Sequence, residues 1–144
     1  MKQVILDFLN TQRVGVLAVE MLDGSPHAAT LHFAHTENPF ILYFKTDREY
    51  RKSEPLHGRP VSRASFVIGT SEKEMKTLQL DGTVQIVKPV EQTAFDIVYY
   101  KKFLDKTKDP NDNDAVYFTF TPTWWRFTDW KTPNGKMILT SDDT

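Results

Sequence analysis

The sequence predicts a mainly β fold with flanking helices, built as an antiparallel barrel. Short apolar runs outnumber helical patterns, turn signals separate those runs at hairpin-like spacing, and the longest run alternates apolar and polar residues with period two. With 144 residues and 40% hydrophobic content, the chain suits one domain over residues 1–144. A domain of that size buries roughly two thirds of its unfolded surface.

At the N-terminus, Val4, Ile5, Phe8 and Leu9 fall on one side at helical spacing and predict a helix over residues 2–11 that covers one end of the core. "VGVLAVEM" (14–21) is apolar at almost every position, as expected of a strand covered on both faces. "LDGSP" then turns the chain into a second strand, "HAATLHFAH". Strand "FILYFKT" ends at Thr46, a short helix is expected from about Arg48 to Glu54, and "VSRASFVI" is the fourth strand. The fifth, "MKTLQLDGTVQIV", sends Leu78, Leu80, Val84 and Ile86 one way and Thr77, Gln79, Asp81, Thr83 and Gln85 the other. Its polar face suits either water or a polar pocket. Ala94, Phe95, Ile97, Val98 and Phe103 predict a second helix over residues 90–104, and the polar loop "DKTKDPNDND" is expected to project from the domain. Strands "AVYFTFT" and "WWRFTDW" follow, and "TPNG" turns the chain into the last strand, "KMILT".

Composition removes several classes of function. Eighteen Lys plus Arg against 19 Asp plus Glu leave a net charge of -1, so nothing draws the whole molecule to nucleic acid or to an anionic membrane. The absence of cysteine excludes disulfides, thiolate ligands and a cysteine nucleophile. No apolar stretch is long enough to span a bilayer, and "MKQVILDFLNTQ" is too short and polar for a signal peptide, so a cytoplasmic protein is expected. The six glycines form neither a Walker loop nor a dinucleotide-binding fingerprint. His32 and His35 fall on opposite faces of their strand, while His27 and His35 lie too far apart to chelate one ion, so no metal site is expected. No serine has the nucleophile-elbow context of a hydrolase.

One stretch stands out. In "FKTDREYRKSEPLHG" (44–58) a strand ends in Thr46, Asp47 offers a helix N-cap, and Arg51 and Lys52 follow within the first turns. A hydroxyl, oriented backbone N–H groups and two cations suit a phosphate, which Arg grips through a planar fork and Lys as a point charge. The same residues also suit a solvated helix whose Arg48, Arg51 and Lys52 pair loosely with Asp47, Glu49 and Glu54. Composition does not choose between the two.

The order "DGSPHAATLHF", "ILYFKTDREYRK", "RPVSRASFVIG", "LQLDGTVQIV" and a Trp-bearing C-terminal hairpin resembles the flavin-binding split-barrel proteins related to pyridoxamine 5'-phosphate oxidase. "VYYKKF" and "TWWRFTDWKTPNGKMI" are similar to the YhbP-like bacterial branch of that family. The resemblance implies a split β-barrel that binds flavin mononucleotide (FMN) and pairs as a homodimer with the cofactor site between subunits. It implies that Arg51 and Lys52 hold the FMN phosphate and that Lys45 and Thr46 lie near the ring system. Ala29, Thr30, Leu31 and His32 correspond to the strand whose backbone runs along the flavin. Thr77 takes the place of a flavin-contacting Gln, which Gln79, on the same face, is able to replace. Trp124 and Trp130 share one strand face and Trp125 and Phe127 the other; Trp130 is the expected ligand neighbour, although Thr128 holds the position of the family Trp.

The chain also departs from that pattern. Tyr50 replaces a Ser, and Ala29 and Ala34 stand where two cations are expected, which implies weak FMN affinity. Pro55, having no N–H, is expected to end the phosphate-site helix early. The C-terminus "KMILTSDDT" lacks the Arg-x-His-type segment of the true oxidases, so the resemblance does not extend to pyridoxamine 5'-phosphate oxidase activity. What remains is a small flavin-dependent oxidoreductase of unidentified substrate. The alternative is a non-catalytic dimeric module that carries or senses a flavin, haem or another planar ligand.

Overall fold

A computed structural model of the protein describes residues 1–143. Eight strands form one antiparallel sheet: β1 (Val14–Glu20), β2 (Pro26–His32), β3 (Ala34–Glu37), β4 (Phe40–Asp47), β5 (Ser62–Ile68), β6 (Lys76–Ile86), β7 (Ala115–Thr132) and β8 (Gly135–Thr140). The spatial order is β2-β1-β5-β6-β7-β4-β3, with β8 paired to β7. The two ends of this path, β2 and β3, are separated in the chain by Phe33 alone. One residue spans only about 3.3–3.6 Å. The sheet must therefore curl until its edges meet there, without a hydrogen-bonded seam, and that is the geometry of a split barrel. The expected continuous strand "HAATLHFAH" is thus two strands on opposite edges. The reason is Phe33: its fully buried ring turns inward at the junction, and its N–H bonds the Arg13 carbonyl at 3.0 Å rather than a strand partner.

Aromatic rings fill the interior. Phe44 stacks on Phe118 and meets Phe66 edge-on, each at 5.0 Å between centroids, and Phe33 meets Phe66 at 5.7 Å. These rings come from β4, β5, β7 and the β2–β3 joint, so burying them draws distant strands together; full burial of one such side chain is worth about 1.5–3 kcal/mol. Helix α1 (Gln3–Thr11) closes one end, with Ile5, Leu6, Phe8 and Leu9 buried and Phe8 against Phe127 at 5.4 Å. Helix α3 (Gln92–Lys102) lies against β3 and β4 through a second cluster of Phe95, Tyr99, Phe103 and Ala34. Among the described residues, no helix packs extensively on the outward faces of β1 and β5, where Val14 is exposed and Val16, Ala18 and Val67 are half-buried.

Several local expectations need correction. Instead of one helix over 48–54, a 3₁₀ turn (Arg51–Ser53) leads into helix α2 (Glu54–Gly58). Pro55 does not end that helix but opens it, in the first turn, where an N–H has no intrahelical acceptor anyway. The side chain of Asp47 caps nothing; its carbonyl accepts hydrogen bonds from the Ser53 hydroxyl at 2.7 Å and the Tyr50 N–H at 3.2 Å. "AVYFTFT" and "WWRFTDW" join into the 18-residue β7, which bulges opposite Asp81 and Gly82 and keeps Pro122 within the strand. A Cβ at position 82 would press on the Thr121 carbonyl oxygen, so glycine is what lets the bulged strand approach. The polar loop after α3 does not project freely. Arg13 pairs with Asp105 at 3.0 Å, Lys108 with Asp96 at 2.6 Å and Lys45 with Asp112 at 3.7 Å, which together lay it across the sheet.

Candidate functional site

Where β4 runs into the 3₁₀ turn, the chain leaves a cleft of about 380 Å³ walled by β2, the end of β4, α3 and the loop after it. Strand β2 contributes Thr30, Leu31 and His32, and β4 contributes Lys45, Thr46 and Asp47. These two strands are distant in the order of the sheet and become neighbours only because the barrel curls.

The cleft is cationic and its polar groups are under-used. Lys52 is only 8% exposed, and its ammonium lies 4.3 Å from the centroid of the Tyr50 ring, without a hydrogen bond or ion pair among the described residues. Burial pulls its pKa below the ordinary lysine value, and Asp47 opposes that shift. Thr46 is 6% exposed and its hydroxyl is buried with no partner. Lys106 reaches in from the loop, its ammonium 3.4 Å from the Tyr99 hydroxyl. Burial lowers the Lys106 pKa, and burial followed by the charges of Lys106 and Arg13 lowers that of His32, which favours a neutral imidazole there. Burial raises Tyr99 to about 12, so that wall stays uncharged. Of the three lysines on the cleft wall, Lys45 pairs with Asp112 at 3.7 Å, so Lys52 and Lys106 are left facing Asp47 across a site containing an unpaired buried hydroxyl. A buried donor left unmatched costs about 1–3 kcal/mol. An anion with several oxygens would satisfy these groups together.

Of the residues singled out in the sequence, Thr30, Leu31, His32, Lys45, Thr46 and Lys52 come together in this cleft. The others lie elsewhere. Ala29 is half-buried on β2 opposite Leu17, off the cleft wall. Arg51 is exposed, and its charge acts on Asp23 in the turn between β1 and β2. Thr77 and Gln79 are half-buried on β6, opposite Thr128 and Arg126 of β7. Trp130, 43% exposed, stands near the far end of β7, where its N–H bonds the Met75 carbonyl at 3.0 Å. Tyr50, Tyr99 and Lys106 are cleft residues that sequence reasoning missed. Only Tyr50 carried a signal, as the departure from an expected Ser; its ring supplies the face that holds the Lys52 ammonium. Ala34 is almost fully buried in the cluster beneath α3, where a longer cation would disrupt packing.

The curled sheet with meeting edges defines a split-barrel protein, with a lysine-lined cleft at the end of β4. The chain belongs to the pyridoxamine 5'-phosphate oxidase family, whose model matches residues 1–129. No curated protein matches it significantly. Among solved structures, a pyridoxamine 5'-phosphate oxidase-related, FMN-binding protein of Nostoc punctiforme is 15% identical, with a TM-score of 0.70 over 96% of this chain and 89% of that one. The general stress protein 26 of Bacillus anthracis is 22% identical, with a TM-score of 0.64 over 85% of this chain and 89% of the other. A haem-binding protein of Mycobacterium smegmatis is 14% identical with a TM-score of 0.71; the match covers 99% of this chain but 60% of that protein. At these identities the likeness is one of fold. Among the described residues, no helix is long and apolar enough to cross a membrane, and no cluster of His, Asp and Glu is arranged to hold a metal.

Proposed function

We propose that the protein binds FMN with its phosphate in the β4 cleft and works in the cytoplasm as a small flavin-dependent oxidoreductase, paired as a homodimer. The observation that carries this reading is the buried, partnerless Thr46 hydroxyl in the same cleft as Lys52, whose ammonium has no hydrogen bond or ion pair among the described residues. A phosphate monoester matches both, accepting a hydrogen bond from each, while Lys106 adds positive charge around it and Lys45 stays paired with Asp112. This moves the phosphate grip expected of Arg51 and Lys52 onto Lys52, Thr46 and Lys106. Bound FMN would supply the electron and hydride chemistry. The chain would anchor it, hold His32 neutral beside it and shield one side with Tyr99. Thr77, Gln79 and Trp130 lie outside the cleft of their own chain, so any contact of theirs with flavin would be made across a subunit interface. The uncovered faces of β1 and β5 support such pairing.

Titrating FMN and riboflavin into the wild-type protein tests the anchor directly. FMN should bind about 10- to 100-fold more tightly than riboflavin, the range expected for one charge-assisted hydrogen bond. Lys52→Ala should remove most of that advantage, whereas Arg51→Ala should leave it nearly intact. Equal affinities for FMN and riboflavin would overturn the assignment. The fold shared with a haem-binding protein favours a second reading, a non-catalytic module for a planar ligand. Bound flavin that does not turn over with NADH, NADPH or photoreduced deazaflavin would support that module against the oxidoreductase.

A further inference from the structure

A second cleft, of about 450 Å³, opens between α3 and β3 and shares no lining residue with the first. Two polar atoms on its wall are buried and have no partner: His35 Nδ1 and Lys102 Nζ. The Lys102 ammonium rests 3.8 Å from the centroid of the Phe33 ring and makes no ion pair among the described residues. Ala34 of β3 and Ile97 and Val98 of α3 give the wall an apolar part, and Asn10, Thr36, Glu37 and Lys101 complete it. A site meant only to be filled would carry Leu or Met here, because a buried cation without an anion opposes folding. The aromatic face and the carbonyl end of α3 offset part of that penalty. Neither supplies an anion.

The other charges around Lys102 leave that deficit in place. Arg13 acts on it from the segment after α1, while Lys101 and Glu37 stand at the rim with opposite signs. Burial, then Arg13, lowers Lys102 from 10.5 to about 8, so the ammonium still predominates at neutral pH. Burial, then the charge of Lys102, lowers His35 to about 4, which keeps its imidazole neutral and free to carry a proton on Nδ1. We infer that this cleft binds a small organic carboxylate with a hydrocarbon body. One carboxylate oxygen accepts a hydrogen bond from the Lys102 ammonium and the other from His35 Nδ1–H. The hydrocarbon lies along Ala34, Ile97 and Val98.

Hexanoate is a suitable probe, with 1-hexanol and acetate as controls that each keep only half of its chemistry. By calorimetry near neutral pH, hexanoate should bind the wild-type protein saturably and at least about tenfold more tightly than either control. Raising the pH from about 7 to about 10 should weaken hexanoate as the ammonium loses its proton, and leave 1-hexanol unchanged. Lys102→Met should weaken hexanoate about 10- to 100-fold while FMN titrates as it does with wild type. Absence of saturable hexanoate binding, equal binding of 1-hexanol, or a hexanoate affinity indifferent to pH would overturn the inference. The pH series uses only wild-type protein, so it decides the matter even if the variant fails to fold, and it is independent of whether FMN binds.

Discussion

Valine has the shape of threonine without the hydroxyl, so Thr46→Val separates what that residue does for folding from what it does for binding. Its hydroxyl is buried and unpartnered. Removing it leaves packing intact and relieves a stranded donor, so the ligand-free protein should become more stable by up to about 1 kcal/mol in urea melts. The same variant should bind FMN about tenfold more weakly, the lower end of what one bond to a phosphate is worth. A variant that loses stability and keeps its affinity would mean that the hydroxyl has a partner within the fold. Thr46, Lys45 and Lys52 were legible in the sequence because they sit within eight residues on one strand-to-turn junction. Lys106 and Tyr99 were not, since they reach the cleft from α3 and its loop, far along the chain from that junction. Arg51 shows the converse: adjacent to Lys52, it points elsewhere because neighbours in a 3₁₀ turn do not share a direction.

Elements whose partners are local were the readable ones. In β6, Leu78, Leu80 and Val84 are buried on the face the alternation predicts. The hairpin of β7 and β8 follows from "TPNG" for the same reason. The break at Phe33 was hidden, because "HAATLHFAH" reads alike whether the strand continues or crosses to another edge; only pairing with β1 on one side and β4 on the other reveals it. The continuity of β7 through Pro122 was hidden too, since a proline ordinarily interrupts a ladder. The bulge facing Gly82 is what accommodates it. Gly82→Val should therefore act on the element rather than on one contact, forcing β6 and β7 apart at the bulge. A loss of about 1–3 kcal/mol is expected, measured as a lower urea midpoint. An unchanged midpoint would mean that the strands are not held at that separation.

Across the whole molecule, the outward faces of β1 and β5 carry Val14, Val16, Ala18 and Val67 beside the Glu20–Arg63 ion pair, and the flavin-contact candidates Thr77, Gln79 and Trp130 lie away from the cleft of their own chain. Sedimentation at micromolar protein should accordingly give twice the 16.7 kDa chain mass. Replacing Val16 or Val67 with Lys, which leaves the interior untouched, should return the monomer. A wild-type monomer would restrict any flavin to contacts within one chain. Strand β7 has a further consequence, because it alone bridges β6 to β4 and nothing before residue 115 can take its place. A nascent chain leaving the ribosome must therefore wait, with two unsatisfied strand edges, until β7 has emerged. Those bare edges are templates for aggregation during synthesis. Pauses or premature stops in translation ahead of this keystone would leave the most hazardous fragments.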